Sequence, residues 1–144
     1  MQLDTYVFFN GECAAALELY QAAFGAQIVA LVRFRDAPDG GNAPADWQDK
    51  VMHAVFCVGP NAILVSDGRY GQPRSDYAGF TLSISADDAQ SGERIFNMLA
   101  DGGTILTPWQ STFWTHGFGM LTDRFGVPWL INVVNESEAQ AAAA

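Results

Sequence analysis

The chain's 144 residues suffice for one domain, or for two half-sized modules sharing a core. Sixteen acidic against seven basic side chains leave a net charge of −9, which repels phosphate backbones and anionic membranes at long range and argues against either as a partner. An apolar share of 49% with 16% charged residues is that of a folded globular protein; no uncharged apolar run approaches a membrane span, Met1-Gln2-Leu3-Asp4 has no leader-like pattern, and the cytoplasm is the expected location.

Leu3 to Phe9 alternates as a strand and Asn10-Gly11 ends it. From Glu12 to Phe24 the period changes: Cys13, Leu17, Tyr20 and Phe24 form one stripe of a helix, five alanines add propensity, and Gly25 stops it. Gln27 to Phe34 is β-branched and apolar, a second strand. Asp36 to Lys50, with Pro38, Gly40, Gly41, Asn42 and Pro44, precludes a regular element and reads as a mobile loop, either a flap over a pocket or a plain solvated excursion. Val51 to Val58 and Ala62 to Ser66 are strands around the turn Gly59-Pro60-Asn61, and Asp67 to Tyr77 is a polar connector.

The pattern then begins again. Phe80, Leu82 and Ile84 alternate with Thr81, Ser83 and Ser85; Ser85 or Asp87 caps a helix reaching about Ala100, with Ile95, Phe96 and Leu99 inward. Gly102-Gly103 closes it, Thr104 to Leu106 is a strand, and a Trp-rich connector leads to a terminal hairpin. In that hairpin Phe118, Met120 and Thr122 alternate with Gly119, Leu121 and Asp123. The turn Asp123-Arg124-Phe125-Gly126 follows, and Val127 to Val133 returns as a strand with Pro128 near its start. Strand, helix and three strands, twice over, predict an α+β chain of two βαβββ modules, about 3–75 and 78–134, with a frayed alanine-rich tail over 136–144.

Few side chains invite chemistry. Cys13 and Cys57 stand apart among apolar neighbours, with no C-x-x-C, and read as reduced core cysteines. His53, in an apolar strand, is either a hydrogen-bonded structural histidine or an acid, base or ligand facing a cavity. His116 lies in a Gly-rich connector and reads as solvated. Asp67 and Asp123 are turn-forming carboxylates that would become catalytic only by pairing with His53. Trp109, Phe113, Trp114, Phe118, Phe125 and Trp129 concentrate aromatic surface in the second module, as a ligand wall, a core or a dimer face. Trp114, Phe118, Trp129, Asn132 and His53 are the expected ligand contacts. Asn132 either orients a ligand carbonyl or bonds the backbone, and Arg33 and Arg35 read as a solvated strand end. No nucleophile elbow, phosphate loop or zincin motif occurs.

Tyr6-Val7-Phe8-Phe9-Asn10-Gly11, Ala16-Leu17-Glu18-Leu19-Tyr20, Phe24-Gly25-Ala26, Met52-His53-Ala54, Ser66-Asp67, Phe113-Trp114 and the run from Leu121 to Trp129 and on to Asn132 resemble the PhnB-like branch of the vicinal oxygen chelate superfamily, which contains glyoxalases, bleomycin-resistance proteins and extradiol dioxygenases. The resemblance spans about residues 3 to 134. It implies paired βαβββ modules forming a curved mixed sheet around a cavity, commonly in a homodimer. It also implies a divalent metal held by His and carboxylates from the first and last strands of each module. Those positions fall here on Asp4 or Thr5, Ile63 to Val65, Gly79 to Thr81 and about Leu130. Asp4 is the one weak candidate ligand among them, so no cofactor is expected, while a divalent metal is left open. Members of the branch often carry the label 3-demethylubiquinone 3-methyltransferase, yet the first turn, Asn10-Gly11-Glu12, is not a glycine-rich donor loop. Two readings result. One is a binder of a small apolar or aromatic molecule in the cavity between modules; the other is a metal-assisted enzyme using His53, Asp67, Asp4 or Asp123.

Overall fold

The computed structural model describes residues 1–74 and 76–134; the expected tail over 136–144 lies outside them. The chain divides into two compact units, Met1–Ser75 and the part from Asp76 onward.

In the first unit β1 (Thr5–Phe8) leads through α1 (Cys13–Phe24) to β2 (Gln27–Arg33), β3 (Val51–Val58) and β4 (Asn61–Ser66). The sheet order is β1-β4-β3-β2, with β1 parallel to β4 and the other pairs antiparallel. Parallel pairing cannot be made by a tight turn, and the helix and hairpin strands between β1 and β4 supply the long connection it needs. Helix α1 ends where Gly25 takes φ 70°, its N–H bonding the Gln21 carbonyl while Ala26 N–H bonds that of Tyr20. Cys13, Ala16, Leu17, Tyr20 and Ala23 are its buried face, packed with Val7, Ala54, Phe56 and Val65 as the core. Phe24, placed on the predicted stripe, is only half-buried, because the helix face turns gradually and the small Ala23 takes the inward position. Cys13 is buried as expected, whereas Cys57 is half-buried.

The segment between β2 and β3 is not featureless. It folds into three 3₁₀ turns, Phe34–Asp36, Pro38–Asn42 and Ala45–Trp47. Asp39, Gly40, Gly41 and Asn42 all take φ between 55° and 60°, a left-handed run that glycine and Asn tolerate. Gln48 Nε2 donates to the carbonyls of Gly40 and Ala43, and Trp47 packs against Phe34 and Tyr70 at ring separations of 6.5 and 5.6 Å.

The second unit repeats the topology: β5 (Leu82–Ser85), α2 (Ala89–Ala100), β6 (Thr104–Gln110), β7 (Thr115–Thr122) and β8 (Pro128–Val134), ordered β5-β8-β7-β6, again with the first and last strands parallel. The helix cap is Asp88 rather than Ser85 or Asp87. Ser85 still belongs to β5, and the Asp88 carboxylate is the one that accepts from Ser91 N–H, at 2.7 Å. Strand β6 runs past the expected Leu106 to Gln110; Pro108 is accommodated because β6 is an edge strand with irregular register. On β7 the core face is Thr115, Gly117, Gly119 and Leu121. Two glycines stand there because aromatic rings lie on the strand: a Cβ at Gly119 would sit 2.4 Å from the Phe96 ring, and one at Gly117 2.2 Å from that of Trp109. Among the described residues no helix is long and apolar enough to cross a membrane.

Two consequences are measurable. Gly119→Ala forces the buried Phe96 ring aside and should lower unfolding free energy by about 1–3 kcal/mol, the usual range for overpacking, read as a fall in denaturant midpoint at unchanged slope. The Ser91 N–H, with its hydroxyl, holds the Asp88 carboxyl below the usual carboxylate range. A depressed folded value means the cap stabilises the fold above the unfolded carboxyl pKa and loses that contribution as pH falls through the folded one. Asp88→Ala should therefore lower Tm at neutral pH, with the difference from wild type closing on acidification.

Candidate functional site

Strand β1 divides its side chains by the two-residue period. Val7 turns to the helix side and is buried, while Tyr6 and Phe8 turn to the opposite face, 40% and 51% exposed. Their rings stack at 4.7 Å with planes 13° apart. This pair forms one wall of a cavity of about 670 Å³. Phe9, Phe34 and Met52 add apolar surface, Asn10, Ser66 and Gln72 add polar groups, and the chain leaving β4, from Asp67 through Gly68 and Arg69 to Pro73, makes the rim. All of these residues belong to the first unit.

The rim is held by two residues at the end of β4. Ser66 Oγ donates to the Met52 carbonyl at 2.7 Å and accepts from Gly68 N–H at 2.9 Å, which turns the chain away from the sheet. Asp67 is 3% exposed; its Oδ1 accepts from Cys13 N–H and its Oδ2 from Val51 N–H, both at 2.8 Å, and its own N–H bonds the Val51 carbonyl. The carboxylate thus caps α1, whose preceding residue Glu12 makes no side-chain cap, and sits at the positive end of that helix. Burial pushes the Cys13 thiol up, and the Asp67 charge adds to this, so Cys13 is an inert packing residue. Tyr6 Oη and His53 Nδ1 share a hydrogen bond of 2.7 Å. Desolvation raises the Tyr6 phenol above its ordinary value, with the Ser66 hydroxyl pulling the other way, so it is a neutral phenol at physiological pH.

His53 therefore meets the cavity wall through Tyr6, while the Asp67 oxygens go to Cys13 and Val51 N–H. In the second unit Asp123 Oδ1 accepts from Phe125 and Val127 N–H and its Oδ2 from the Trp129 indole at 2.9 Å. Trp129, expected at a ligand, is 3% exposed and belongs to the core: it shares strand parity with Ile131 and Val133, which also face inward. Asn132 Oδ1 accepts from the Thr115 hydroxyl at 2.7 Å, and Phe118, its cross-strand neighbour, is half-buried. Trp114 is 45% exposed and meets Phe113 edge-on at 4.7 Å. The aromatic group of the second unit therefore divides between core and surface. His116 is exposed. Arg35 pairs with Asp49, whose carbonyl also takes the Arg33 guanidinium. Tyr6, Phe8, Asn10, Arg69 and Gln72 are site residues that the sequence reading left out. The signal available for the first two was the parity of Tyr6 and Phe8 against Val7.

The resemblance gives metal ligands to Asp4 or Thr5, Ile63 to Val65, Gly79 to Thr81 and about Leu130, and several of these lie in paired strands. Thr5 pairs with Ile63 across β1 and β4, and Ser83 with Leu130 across β5 and β8. Asp4 is exposed and accepts from Gln2 Nε2 at 3.0 and 2.9 Å. Among the described residues no three His, Cys, Asp or Glu gather closely enough to hold an ion.

Two βαβββ units of one topology define the glyoxalase/bleomycin-resistance fold, which solved structures at 13–15% identity share. Residues 1–132 match the family described as 3-demethylubiquinone-9 3-methyltransferase, and the chain belongs to that PhnB-like family. Protein YjdN of Escherichia coli (strain K12) is 36% identical over 97% of this chain and 100% of its own. Protein PA1353 from Pseudomonas aeruginosa is similar in structure at TM-score 0.81 and 40% identity, over 93% of this chain and 98% of its own. The PhnB protein from Bacillus cereus is similar at TM-score 0.75 and 24% identity, over 93% of this chain and 100% of its own.

Removing the buried carboxylate orphans two backbone donors at once. Asp67→Ala should cost about 3 kcal/mol or more, since each hydrogen bond to a charged group contributes roughly 1.5–3 kcal/mol. Asp67→Asn, which retains one acceptor oxygen, should fall between the two in denaturant midpoint.

Proposed function

We propose that this protein binds a small molecule with an apolar or aromatic body in the cavity of its first unit, through its own side chains and without a metal ligand set. The stacked Tyr6–Phe8 pair carries the reading. Two large rings on one strand stand 40% and 51% exposed, and they do so inside a concavity of ligand size, about 670 Å³, rather than on a convex surface. Phe34 and Met52 extend the apolar lining, and the Tyr6 hydroxyl, fixed by His53, is a neutral donor or acceptor for a ligand oxygen. Asp67, a carboxylate lining the cavity, has both oxygens accepting from backbone donors, which favours binding over proton transfer.

The family description names methyl transfer. A methyl donor is usually held at a glycine-rich turn after the first strand of a doubly wound parallel sheet. Here β1 passes through Phe9, Asn10, Gly11 and Glu12 into a helix whose N-terminus is already occupied by Asp67, and the sheet is mixed, ordered β1-β4-β3-β2. These features favour taking the description as a family label. The superfamily's usual homodimer is part of the proposal.

The test is calorimetric titration and thermal denaturation with 2-naphthamide, a neutral bicyclic aromatic. A ligand that binds only the native state stabilises it by about 2.7 kcal/mol at a hundredfold excess over Kd. Binding with a rise in Tm is expected, weakened about tenfold or more in Phe8→Ala. No binding by the wild type, or an unchanged affinity in Phe8→Ala, would remove the proposal. Stoichiometric zinc, nickel, manganese or iron in protein purified without chelator would favour the metal-assisted enzyme instead.

A further inference from the structure

Resting on that reading of the cavity, we infer that its ligand is an aromatic carboxylic acid, bound as the anion with Arg69 as its anchor. The chain has sixteen acidic and seven basic side chains, so each cation has acids in excess to pair with. Six of the seven are engaged. Arg33 and Lys50 donate to the carbonyls of Asp49 and Gly11, Arg94 reaches Met98 Sδ, and Arg35, Arg74 and Arg124 pair with Asp49, Glu12 and Asp101. Arg69 is the exception: among the described residues its guanidinium has neither an acidic partner nor a hydrogen-bond acceptor, and it stands exposed on the cavity rim. Asp67 lines the same cavity two residues away, but its oxygens are committed to Cys13 and Val51 N–H, so the anchor is not neutralised from within.

The backbone fixes this placement. Gly68 N–H bonds the Ser66 hydroxyl, Gln72 N–H bonds the Arg69 carbonyl, and a Cβ built on Gly68 would touch the Phe8 ring at 3.8 Å, so the rim lies directly against the aromatic wall. A flat apolar body on Tyr6 and Phe8 would then present its edge towards a planar guanidinium fork, whose donors match a carboxylate two at a time. The Asn10 and Gln72 amides are further donors on the same lining. With a net charge of −9 the overall field does not gather anions, so selection for one must come from contact.

The experiment compares 2-naphthoate with its neutral isostere 2-naphthamide, by calorimetry on the full chain as wild type, Arg69→Gln and Arg69→Lys. The wild type should prefer the carboxylate by tenfold or more. Arg69→Gln should abolish the preference, lowering carboxylate affinity by tenfold or more, and Arg69→Lys should keep part of it. Equal affinities in the wild type, or a preference that survives Arg69→Gln, would overturn the anchor and leave the aromatic-binding reading standing. Failure of both compounds to bind the wild type would overturn both.

Discussion

The buried Asp67 carboxylate is the constraint on which the first unit's site depends. A charge taken out of water is costly unless its oxygens are met by donors, and here the donors are the first N–H of α1 and the first N–H of β3. One side chain therefore fixes where the helix starts, where the third strand starts, and the direction in which the chain leaves the fourth. Everything on the cavity rim follows from that direction, because residues 68–73 continue from a point that cannot shift without uncovering two backbone donors. The same commitment ties each Asp67 oxygen to a backbone donor.

The second unit reaches the same strand order by different means. Its buried carboxylate, Asp123, lies in the β7–β8 turn, where it gathers Phe125 and Val127 N–H and the Trp129 indole. Its helix is capped locally by Asp88 instead of from a distant strand end. Its helix approaches the sheet closely through Gly119 on β7, under the Phe96 ring, and through its own Gly92, against Trp109 and Val133, whereas α1 does so through its alanines, Ala16 and Ala23. What is repeated is the topology, and each unit satisfies the polar groups that the topology leaves open with its own residues. The copies therefore share an element order and almost no side-chain correspondence.

This difference also explains what could be read from the sequence. Element type and order follow from local periodicity, and the periods of three to four and of two were plain in both halves. Element ends depend on particular hydrogen bonds, and these were less legible: Asp88 and Asp87 are indistinguishable as caps until one is seen to reach Ser91 N–H. The composition of 36–50 predicts no regular element, yet 3₁₀ turns form there, and Gln48 bonding back to Gly40 and Ala43 is a contact no local propensity encodes. The site suffered most. Aromatic density pointed to the second half, yet density carries no information about faces. Trp129 follows the parity of Ile131 and Val133 into the core, whereas Tyr6 and Phe8, fewer and less conspicuous, follow the parity opposite Val7.

That parity has a structural consequence. A single strand carries Val7 into the core and, on either side of it, the two rings of the cavity wall, so the side chains that hold the first unit together and those that line the cavity alternate along four residues. The core face of this sheet is aliphatic and aromatic, closed by one amphipathic helix, and its composition is set by packing volume. The opposite face has no such requirement. Its residues can be aromatic, hydroxylic or charged at little cost to folding, and Tyr6, Phe8 and His53 are of those kinds. The fold thereby separates packing from cavity lining at the level of single alternate residues. Substitutions at Tyr6, Phe8 or Arg69 alter the lining of the cavity, whereas a change at Val7 or Asp67 alters whether that lining is assembled at all.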